Sequence, residues 1–298
     1  MTIETIATDM DGTFLDHEQH LRSSTLEMYD KLRANNKRVI ICTGRGLQAA
    51  KHALAEQEGG DQIPLFPGVY SHGAIAFGKD EKDVVYTNFL NKKYVFDAIQ
   101  KLYEWKEEIL QEAKTIVMPA DARITDDTYV ITVYKPERFF VDFETEQFRE
   151  FCIRYDEWHD ELLNRKIVED DLNDVFHFSI TANPVVLELY RYRMLKFLED
   201  NPYYNMRVIK PVVEGLHILN TEVDKSQALA ALCQVYGWNR ETILALGDSD
   251  NDVEMLKWAN YSVAMGDGSD SVKSIAKFLA EPSVNDGWSK AIQQLVFE

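Results

Sequence analysis

The stretch that decides the fold is residues 8–15, Thr8-Asp9-Met10-Asp11-Gly12-Thr13-Phe14-Leu15. It follows a short β-prone run, Thr2 to Thr8, and it precedes a helical pattern and then an apolar strand over Arg38 to Cys42. A strand, a helix and a second strand in this order begin a doubly wound parallel sheet, in which the carboxyl ends of the strands form the ligand crevice. The sequence therefore predicts that two carboxylates emerge at this crevice on a tight turn that Gly12 permits.

The C-terminal third continues the same alternation of strands and helices. Strands are predicted over Leu216 to Asn220, Thr242 to Leu246 and Ser262 to Met265, each followed by a helical pattern. Apolar runs without alternation are typical of strands that helices cover on both faces. We therefore expect an α/β fold with a doubly wound parallel sheet, a Rossmannoid core.

The middle of the chain has a different pattern. From about Lys92 it combines a long helix with paired strands, such as Lys114 to Met118 and Tyr129 to Tyr134, and further helices. This mixture indicates an α+β insert. We predict a core formed by residues 1–90 and 213–298 and an inserted second domain over residues 91–212.

Charge and cysteine content limit the partners of the protein. The 298 residues include 32 Lys and Arg against 50 Asp and Glu, a formal net charge of −18 that repels nucleic acid and anionic membranes. Cys42, Cys152 and Cys233 are far apart among apolar residues, which is typical of reduced, buried thiols. The sequence has no signal peptide and no apolar run long enough to span a membrane. We expect a cytoplasmic protein without nucleic-acid or membrane partners; whether it is a monomer or a dimer stays open.

A second acidic stretch, Leu246 to Leu256, follows a buried strand and runs into a helix. Four carboxylates lie within seven residues there, and because they repel one another they favour a bound cation, for which Mg²⁺ is well suited. An EF-hand is excluded for both acidic stretches, since Phe14 and Val253 stand where its loop needs glycine. The alternatives left open are an ordinary Asp-Gly turn at the first stretch and an acidic helix N-terminus at the second, although the latter hardly explains Asp248.

Two shorter patterns point to the same edge of the sheet. Thr43 and Gly44 close the second strand and offer a hydroxyl and backbone N–H groups before a helix, an arrangement that binds phosphate. Lys225 begins a helix, where its charge opposes the helix dipole. The alternatives are ordinary helix capping for the first pattern and a solvent-exposed lysine for the second.

Together, these four segments resemble the four motifs of the haloacid dehalogenase (HAD) superfamily, in the same order and each at a strand end. The position of the insert resembles the Cof-type, class IIB capped branch, and the likeness covers nearly the whole chain, including Ala264-Met265-Gly266 and Asn285-Asp286-Gly287. Two places depart from the family: its usual Asn-Gly-Ala is here His72-Gly73-Ala74, and its Ala-Met-Gly-Asn-Ala continues here as Asp267-Gly268. The resemblance implies that the insert is a cap domain.

The resemblance also implies roles for individual residues. Asp9 would be the nucleophile that forms an aspartyl-phosphate, and Asp11 the general acid and base. Mg²⁺ would be bound by the carboxylates of Asp9 and Asp248 and by the backbone carbonyl of Asp11, with Asp252 orienting a metal-bound water or Lys225. The groups implied to hold the transferring phosphoryl group are Thr43, the N–H of Gly44, Lys225 and the amide of Asn251. The roles of His72 and Arg45 stay open.

The function implied is Mg²⁺-dependent hydrolysis of small phosphate monoesters. Sugar phosphates are the first class, followed by phosphorylated cofactors such as flavin mononucleotide or pyridoxal phosphate. Thr13, which is not Tyr, and the acid at Asp11 favour a phosphatase over a dehalogenase. The alternatives are a phosphosugar mutase of the phosphomannomutase type, which the acidic insert disfavours, and a non-catalytic sensor of phosphorylated metabolites.

Overall fold

The structure, a computed structural model, describes residues 2–116, 129–136, 138–155 and 161–298. It divides into two compact units. The first contains the residues up to Thr87 together with Val223–Glu298, and the second is Asn88–Glu222. The division therefore falls at residues 88 and 222, where the sequence predicted 91 and 212.

The strands in chain order are Thr5–Thr8 (β1), Arg38–Cys42 (β2), Gly68–Tyr70 (β3), Ile75–Phe77 (β4), Val84–Thr87 (β5), Tyr129–Tyr134 (β6), Phe139–Val141 (β7), Glu161–Leu162 (β8), His177–Ala182 (β9), Met206–Val212 (β10), Gly215–Asn220 (β11), Ile243–Gly247 (β12), Tyr261–Ala264 (β13) and Phe278–Leu279 (β14). The α-helices are Ser23–Ala34 (α1), Leu47–Ala55 (α2), Lys92–Thr115 (α3), Glu146–Tyr155 (α4), Pro184–Asp200 (α5), Lys225–Tyr236 (α6), Val253–Trp258 (α7), Asp270–Ile275 (α8) and Gly287–Ile292 (α9). Short single-turn helices occupy several of the connections.

The first unit is built on an eight-stranded sheet. Its order is β14-β13-β12-β1-β2-β3-β4-β5, parallel from β14 to β3 and antiparallel from β3 to β5. β1 and β12 are buried throughout because apolar side chains point to both faces. The chain passes from β1 to β2 on one side and later returns to β12 on the other, so the carboxyl end of β1 is a topological switch point. The doubly wound α/β core predicted from the sequence is confirmed.

The second unit has a six-stranded sheet in the order β10-β11-β9-β6-β7-β8. All of its pairs are antiparallel except β7 with β8. Side chains of α3 and α5, such as Ile99 and Leu187, belong to one apolar core with Ile131 and Ile180 of the sheet. The second unit is therefore an α+β structure, as the sequence predicted for the insert.

One strand predicted for the parallel sheet belongs to the other sheet, and one predicted strand is wrong. The strand predicted over Leu216 to Asn220 does not join the parallel sheet; it is β11, which pairs antiparallel with β10 and β9. A two-residue connection after Val212 lets the chain fold back as a hairpin, and that local pairing decides the sheet to which β11 belongs. The strand predicted over Lys114 to Met118 is helical as far as Thr115, because α3 continues, and Met118 lies outside the described residues.

Within the described ranges, no helix is both long enough and apolar enough to cross a membrane.

Candidate active site

Asp9 and Asp248 lie side by side because their strands are neighbours. β1 and β12 pair in parallel, with Thr8 opposite Leu246. Asp9 comes directly after β1, and Asp248 comes directly after β12. The backbone N–H of Asp9 donates to the Leu246 carbonyl at 2.9 Å. Since parallel strands end at the same edge of a sheet, both carboxylates emerge at the crevice.

The backbone of the turn after β1 lies in close contact with the Asp248 carboxylate. Gly12 has a φ of +73°, and a Cβ at this position would lie 2.6 Å from Oδ2 of Asp248. The hydroxyl of Thr13 donates to Oδ1 of the same carboxylate at 3.1 Å. Glycine is therefore required at residue 12, both for its left-handed backbone and for the close approach of the carboxylate.

Three carboxylates and one ammonium form a buried cluster. Of the residues that the structure describes, only Asp9, Asp248 and Asp252 form a group of three or more potential metal ligands, with one ligand atom from each within 4.8 Å of the others. Nζ of Lys225 lies 2.5 Å from Oδ1 of Asp9 and 2.6 Å from Oδ1 of Asp252. Lys225 is 0% exposed. Its position against the helix dipole is explained because it binds two carboxylates and is not solvated.

Asp252 is held by the protein from two directions. Oδ1 accepts from Lys225, and Oδ2 accepts from the backbone N–H groups of Asp248 and Ser249, each at 3.1 Å. These N–H groups precede α7, so the carboxylate caps the start of that helical segment. Because both of its oxygens already accept hydrogen bonds, Asp252 is suited to orienting Lys225.

Burial controls protonation in this cluster. It raises the pKa of Asp9 well above the ordinary value, and the charge of Asp252 raises it further, against the opposing effect of Lys225. It also raises the pKa of Asp248 to about 6, again with a contribution from Asp252. For Lys225, burial acts to lower the pKa, but the charges of Asp252 and Asp9 outweigh it and raise the pKa above the ordinary value.

The cluster has an excess of negative charge. When its three carboxylates are ionised they carry −3 against +1 from Lys225, which leaves −2 in a buried site. A divalent cation neutralises that excess, and a set of oxygen ligands with few carboxylates is the kind that Mg²⁺ prefers. The donor set therefore fits the magnesium ion that the resemblance implies.

Asp11 is not a member of this cluster. Its carboxylate accepts from Nε of Arg45 at 3.1 and 3.0 Å, one distance to each oxygen, and from Nη2 at 2.8 Å. Nη2 of Arg45 also donates to Oε1 of Gln19 at 2.7 Å. The Asp11 side chain is 34% exposed and that of Arg45 is 13% exposed. Because this ion pair is neutral, it adds nothing to the net charge of the buried cluster.

Three of the four residues predicted to bind phosphate, Thr43, Gly44 and Asn251, lie beyond the ends of β2 and β12. Thr43 is buried, and its hydroxyl accepts from the backbone N–H of Arg45 at 3.0 Å. A Cβ at Gly44 would lie 3.4 Å from the amide nitrogen of Asn251, the residue before Asp252. The hydroxyl of Ser249 donates to Oδ1 of Asn251 at 2.7 Å. This hydrogen bond holds the amide oxygen and leaves the amide nitrogen as the donor of that side chain.

Two side chains without a role in the sequence analysis touch these residues. Arg45 pairs with Asp11, as described above, and its place directly after Gly44 was the only local indication. His72 has Nδ1 at 3.3 Å from the amide nitrogen of Asn251. Its indication in the sequence was the departure from the family's usual Asn at that position.

The chain is similar to known proteins along almost its whole length. The family model described as haloacid dehalogenase-like hydrolase matches residues 6–292. Two Bacillus subtilis proteins, each named as a 5-amino-6-(5-phospho-D-ribitylamino)uracil phosphatase, align along almost their whole length: YitU is 26% identical over 97% of this chain and 96% of its own, and YcsE is 27% identical over 99% and 96%.

Solved structures show the same fold. A sugar phosphatase of HAD subclass IIB superposes with a TM-score of 0.72 at 19% identity and covers 98% of each chain. The family model spans both segments of the first unit and the whole of the second. The chain therefore belongs to the haloacid dehalogenase-like hydrolase family and is a phosphatase.

Proposed function

We propose that the protein is a Mg²⁺-dependent hydrolase of small phosphate monoesters, with sugar phosphates as the first substrate class. The observation that carries the proposal is the buried cluster of Asp9, Asp248 and Asp252 with Lys225, whose net charge is −2 when the three carboxylates are ionised. The names of the two Bacillus subtilis relatives support a phosphorylated polyol or sugar chain as the substrate. Three buried cysteine thiols and the acidic composition support a cytoplasmic location.

Asp9 is the proposed nucleophile. One of its carboxylate oxygens bonds to phosphorus as the bond from phosphorus to the ester oxygen breaks, which gives an aspartyl-phosphate and an alkoxide. Lys225 orients the carboxylate through its contact with Oδ1 of Asp9. Dividing the hydrolysis into two displacements lowers the barrier of each step.

Asp11 is the proposed acid and base. To act as the acid, Asp11 first takes up a proton from solvent, which it then gives to the departing alkoxide. The resulting carboxylate takes a proton from a water molecule, whose oxygen bonds to phosphorus as the bond to Asp9 breaks. Because Arg45 donates to both oxygens of Asp11, protonation of either oxygen weakens this ion pair and makes the protonated oxygen available to the leaving-group oxygen.

The remaining predicted residues bind the metal and the phosphoryl group. Mg²⁺ would be held by the carboxylates of Asp9 and Asp248 and by the backbone carbonyl of Asp11, and when bound it supplies positive charge to the phosphoryl oxygens. Asp252 orients Lys225. The proposed phosphate ligands are Thr43, the N–H of Gly44, Lys225 and the amide of Asn251. The role of the second unit as a substrate-selecting cap stays a prediction.

A panel of phosphate esters tests the proposal. Sugar phosphates, flavin mononucleotide, pyridoxal phosphate and the ester named for the relatives are each incubated with the protein and Mg²⁺, and released phosphate is measured. The test variant is Asp9→Asn. The matched control is Asp250→Asn, since Asp250 belongs to the same acidic segment but is exposed and accepts from Ser269 and Ser271.

We expect turnover of at least one ester by the parent and by Asp250→Asn, and none by Asp9→Asn. A pure protein that hydrolyses no ester, or an Asp9→Asn variant as active as the parent, contradicts the proposal. Conversion of a sugar 1-phosphate to its 6-phosphate without release of phosphate would instead indicate a mutase.

A further inference from the structure

The turn Ser71–Gly73 touches the proposed phosphate site from several sides. It follows β3, and its three residues have left-handed backbones, with φ of 51° at Ser71, 60° at His72 and 100° at Gly73. Non-glycine residues are uncommon in this conformation, although histidine adopts it more often than most, and such residues are frequent at functional sites. The contacts of this turn show what fixes it here.

The backbone of the turn is bonded to the loop that follows β2. The N–H of Ser71 donates to the carbonyl of Arg45 at 2.8 Å, and the N–H of His72 donates to the carbonyl of Thr43 at 3.2 Å. A Cβ at Gly73 would lie 2.2 Å from the carbonyl oxygen of Asp224 and 2.7 Å from the backbone nitrogen of Lys225. The turn therefore lies between the Thr43–Arg45 loop and the start of α6.

The imidazole of His72 reaches two of the proposed phosphate ligands. It is 5% exposed, and its Nδ1 lies 3.3 Å from the amide nitrogen of Asn251, a donor, so Nδ1 accepts and Nε2 carries the proton. A Cβ at Gly44 would lie 2.7 Å from Cε1 and 2.9 Å from Nδ1 of this ring. Glycine at residue 44 is therefore what lets the imidazole lie against the backbone whose N–H is proposed to bind phosphate.

We propose that His72 is a positioning residue of the phosphate site, an inference that rests on the proposed function. Its Nδ1 fixes the Asn251 amide, whose oxygen is already held by Ser249, so that the second N–H of the amide is oriented toward the phosphoryl oxygens. Its ring also packs against the backbone at Gly44 and limits the movement of that backbone. Groups that are oriented before the anion arrives lose little freedom when it binds.

Substitutions of His72 can test whether an acceptor at the position of Nδ1 is what matters. In asparagine, Oδ1 is attached to Cγ as Nδ1 is in histidine, so His72→Asn keeps an acceptor in the same place. Asparagine also tolerates a positive φ better than most residues. Glutamine places its amide near the position of Nε2 instead. The acceptor account therefore predicts that His72→Asn restores what His72→Ala loses, and that His72→Gln does not.

The experiment measures binding of inorganic phosphate by calorimetry in the presence of Mg²⁺, together with kcat and KM for the best ester. For His72→Ala and His72→Gln we expect phosphate affinity to fall about tenfold, the effect of losing one hydrogen bond to a charged group. We expect KM to rise more than kcat falls, and His72→Asn to recover most of the affinity. The control is His52→Ala, because His52 is an exposed residue of α2.

A double-mutant cycle decides whether His72 acts through Asn251. If it does, adding His72→Ala to Asn251→Ala changes phosphate affinity little, since the amide to be oriented is gone. Fully additive losses, unchanged phosphate affinity in a folded His72→Ala, or a His72→Asn variant as weak as His72→Ala would each overturn the inference. Should His72→Ala fail to fold, the comparison of Asn with Gln carries the test. Direct phosphate binding stays measurable even if no ester is hydrolysed, so failure of the proposed function is distinguishable from failure of this inference.

Discussion

Lys225 is the residue that joins the two acidic segments of the site. Its ammonium contacts Asp9 after β1 and Asp252 before α7, which lie 243 positions apart in the chain, counted as 252 − 9. A buried ammonium is stable only where carboxylates or other acceptors replace its water shell. Here it offsets one of three buried negative charges, and so it contributes to stability as well as to the proposed chemistry.

Replacing this ammonium should lower both the stability of the protein and its phosphatase activity. For Lys225→Met we expect a loss of unfolding free energy of about 3 kcal/mol, because the buried carboxylates lose their partner, together with loss of phosphatase activity. Urea denaturation and ester hydrolysis measure the two effects. The control is Lys257→Met, since Lys257 is half-exposed and pairs with Glu254 of its own helix. A Lys225→Met variant with parental stability and activity would contradict this account of the cluster.

Gly12 offers a second test at single-residue scale. We expect Gly12→Ala to destabilise the protein by at least about 2 kcal/mol, because its φ of +73° strains an L-residue and the new methyl group meets the Asp248 carboxylate. Gly46→Ala is the control, since its φ is −68° and a Cβ there meets no atom within 4 Å. Thermal denaturation of the two variants compares them; equal melting temperatures would refute the steric argument.

At the scale of elements, the sequence predicted strand ends better than strand partners. β1, β2 and β12 are apolar on both faces, so a buried parallel sheet and its crevice could be inferred from them alone. β11 is equally buried, yet its sheet is decided by the hairpin with β10, which a pattern of apolar residues does not contain. The pattern of apolar residues along a strand indicates whether the strand is buried. Which strand it pairs with depends on the turn that connects it to its neighbour.

The same limit applies to contacts between side chains at the site. The motifs predicted that Asp9, Asp248 and Lys225 lie at one sheet edge, and the structure brings these three together. They did not predict that Asp11 pairs with Arg45, 34 residues later, because that contact depends on side-chain conformation. Local sequence identifies which groups reach the crevice but not how they pair within it.

A loop of the second unit contains a buried acid outside the site. Asp142 is 1% exposed and follows β7; Oδ1 accepts from the N–H groups of Ile131 and Phe143, and Oδ2 accepts from the hydroxyl of Tyr103 at 3.0 Å. Burial raises the pKa of Asp142 to about 6, although these hydrogen bonds act to lower it. The folded state therefore holds the proton of Asp142 more tightly than the unfolded state does.

This raised pKa has a defined effect on stability. The protonated acid contributes unfolding free energy that is fully present below the ordinary pKa of 3.8 and is lost as pH rises through about 6. We expect Asp142→Asn, which is neutral throughout, to lack this decline, so that the stability difference between parent and variant changes by about 1 to 3 kcal/mol over that range. Urea denaturation at several pH values measures the difference. If the unfolding free energies of the two proteins change in parallel with pH, Asp142 does not cause the decline.

On the scale of the whole molecule, the net charge of −18 opposes an anionic substrate. The negative charge must therefore be neutralised at the site. With Arg45 neutralising Asp11, the buried cluster carries −2, which one divalent ion cancels. The acidic composition, from which the sequence analysis predicts no nucleic-acid partner, thus also makes the proposed activity dependent on a cation.

This opposition predicts how the rate responds to salt. With Mg²⁺ held at saturation, we expect kcat/KM to rise as ionic strength increases from about 0.01 to 0.15 M, because screening shortens the reach of the repulsive field. A non-binding salt and a doubly charged ester give the clearest signal. A steady fall of kcat/KM over the same range would show that the field near the site already attracts anions.

The central claim is that Asp9 carries the phosphoryl group during hydrolysis. Rapid mixing with the best ester and Mg²⁺, followed by acid quench and mass spectrometry of peptides, measures this directly. We expect one added phosphoryl group on the peptide that contains Asp9. Hydroxylamine should remove this group, and it should not form when Mg²⁺ is chelated. Sustained turnover with no phosphorylated peptide at any mixing time, or with the phosphoryl group on a different residue, would contradict it.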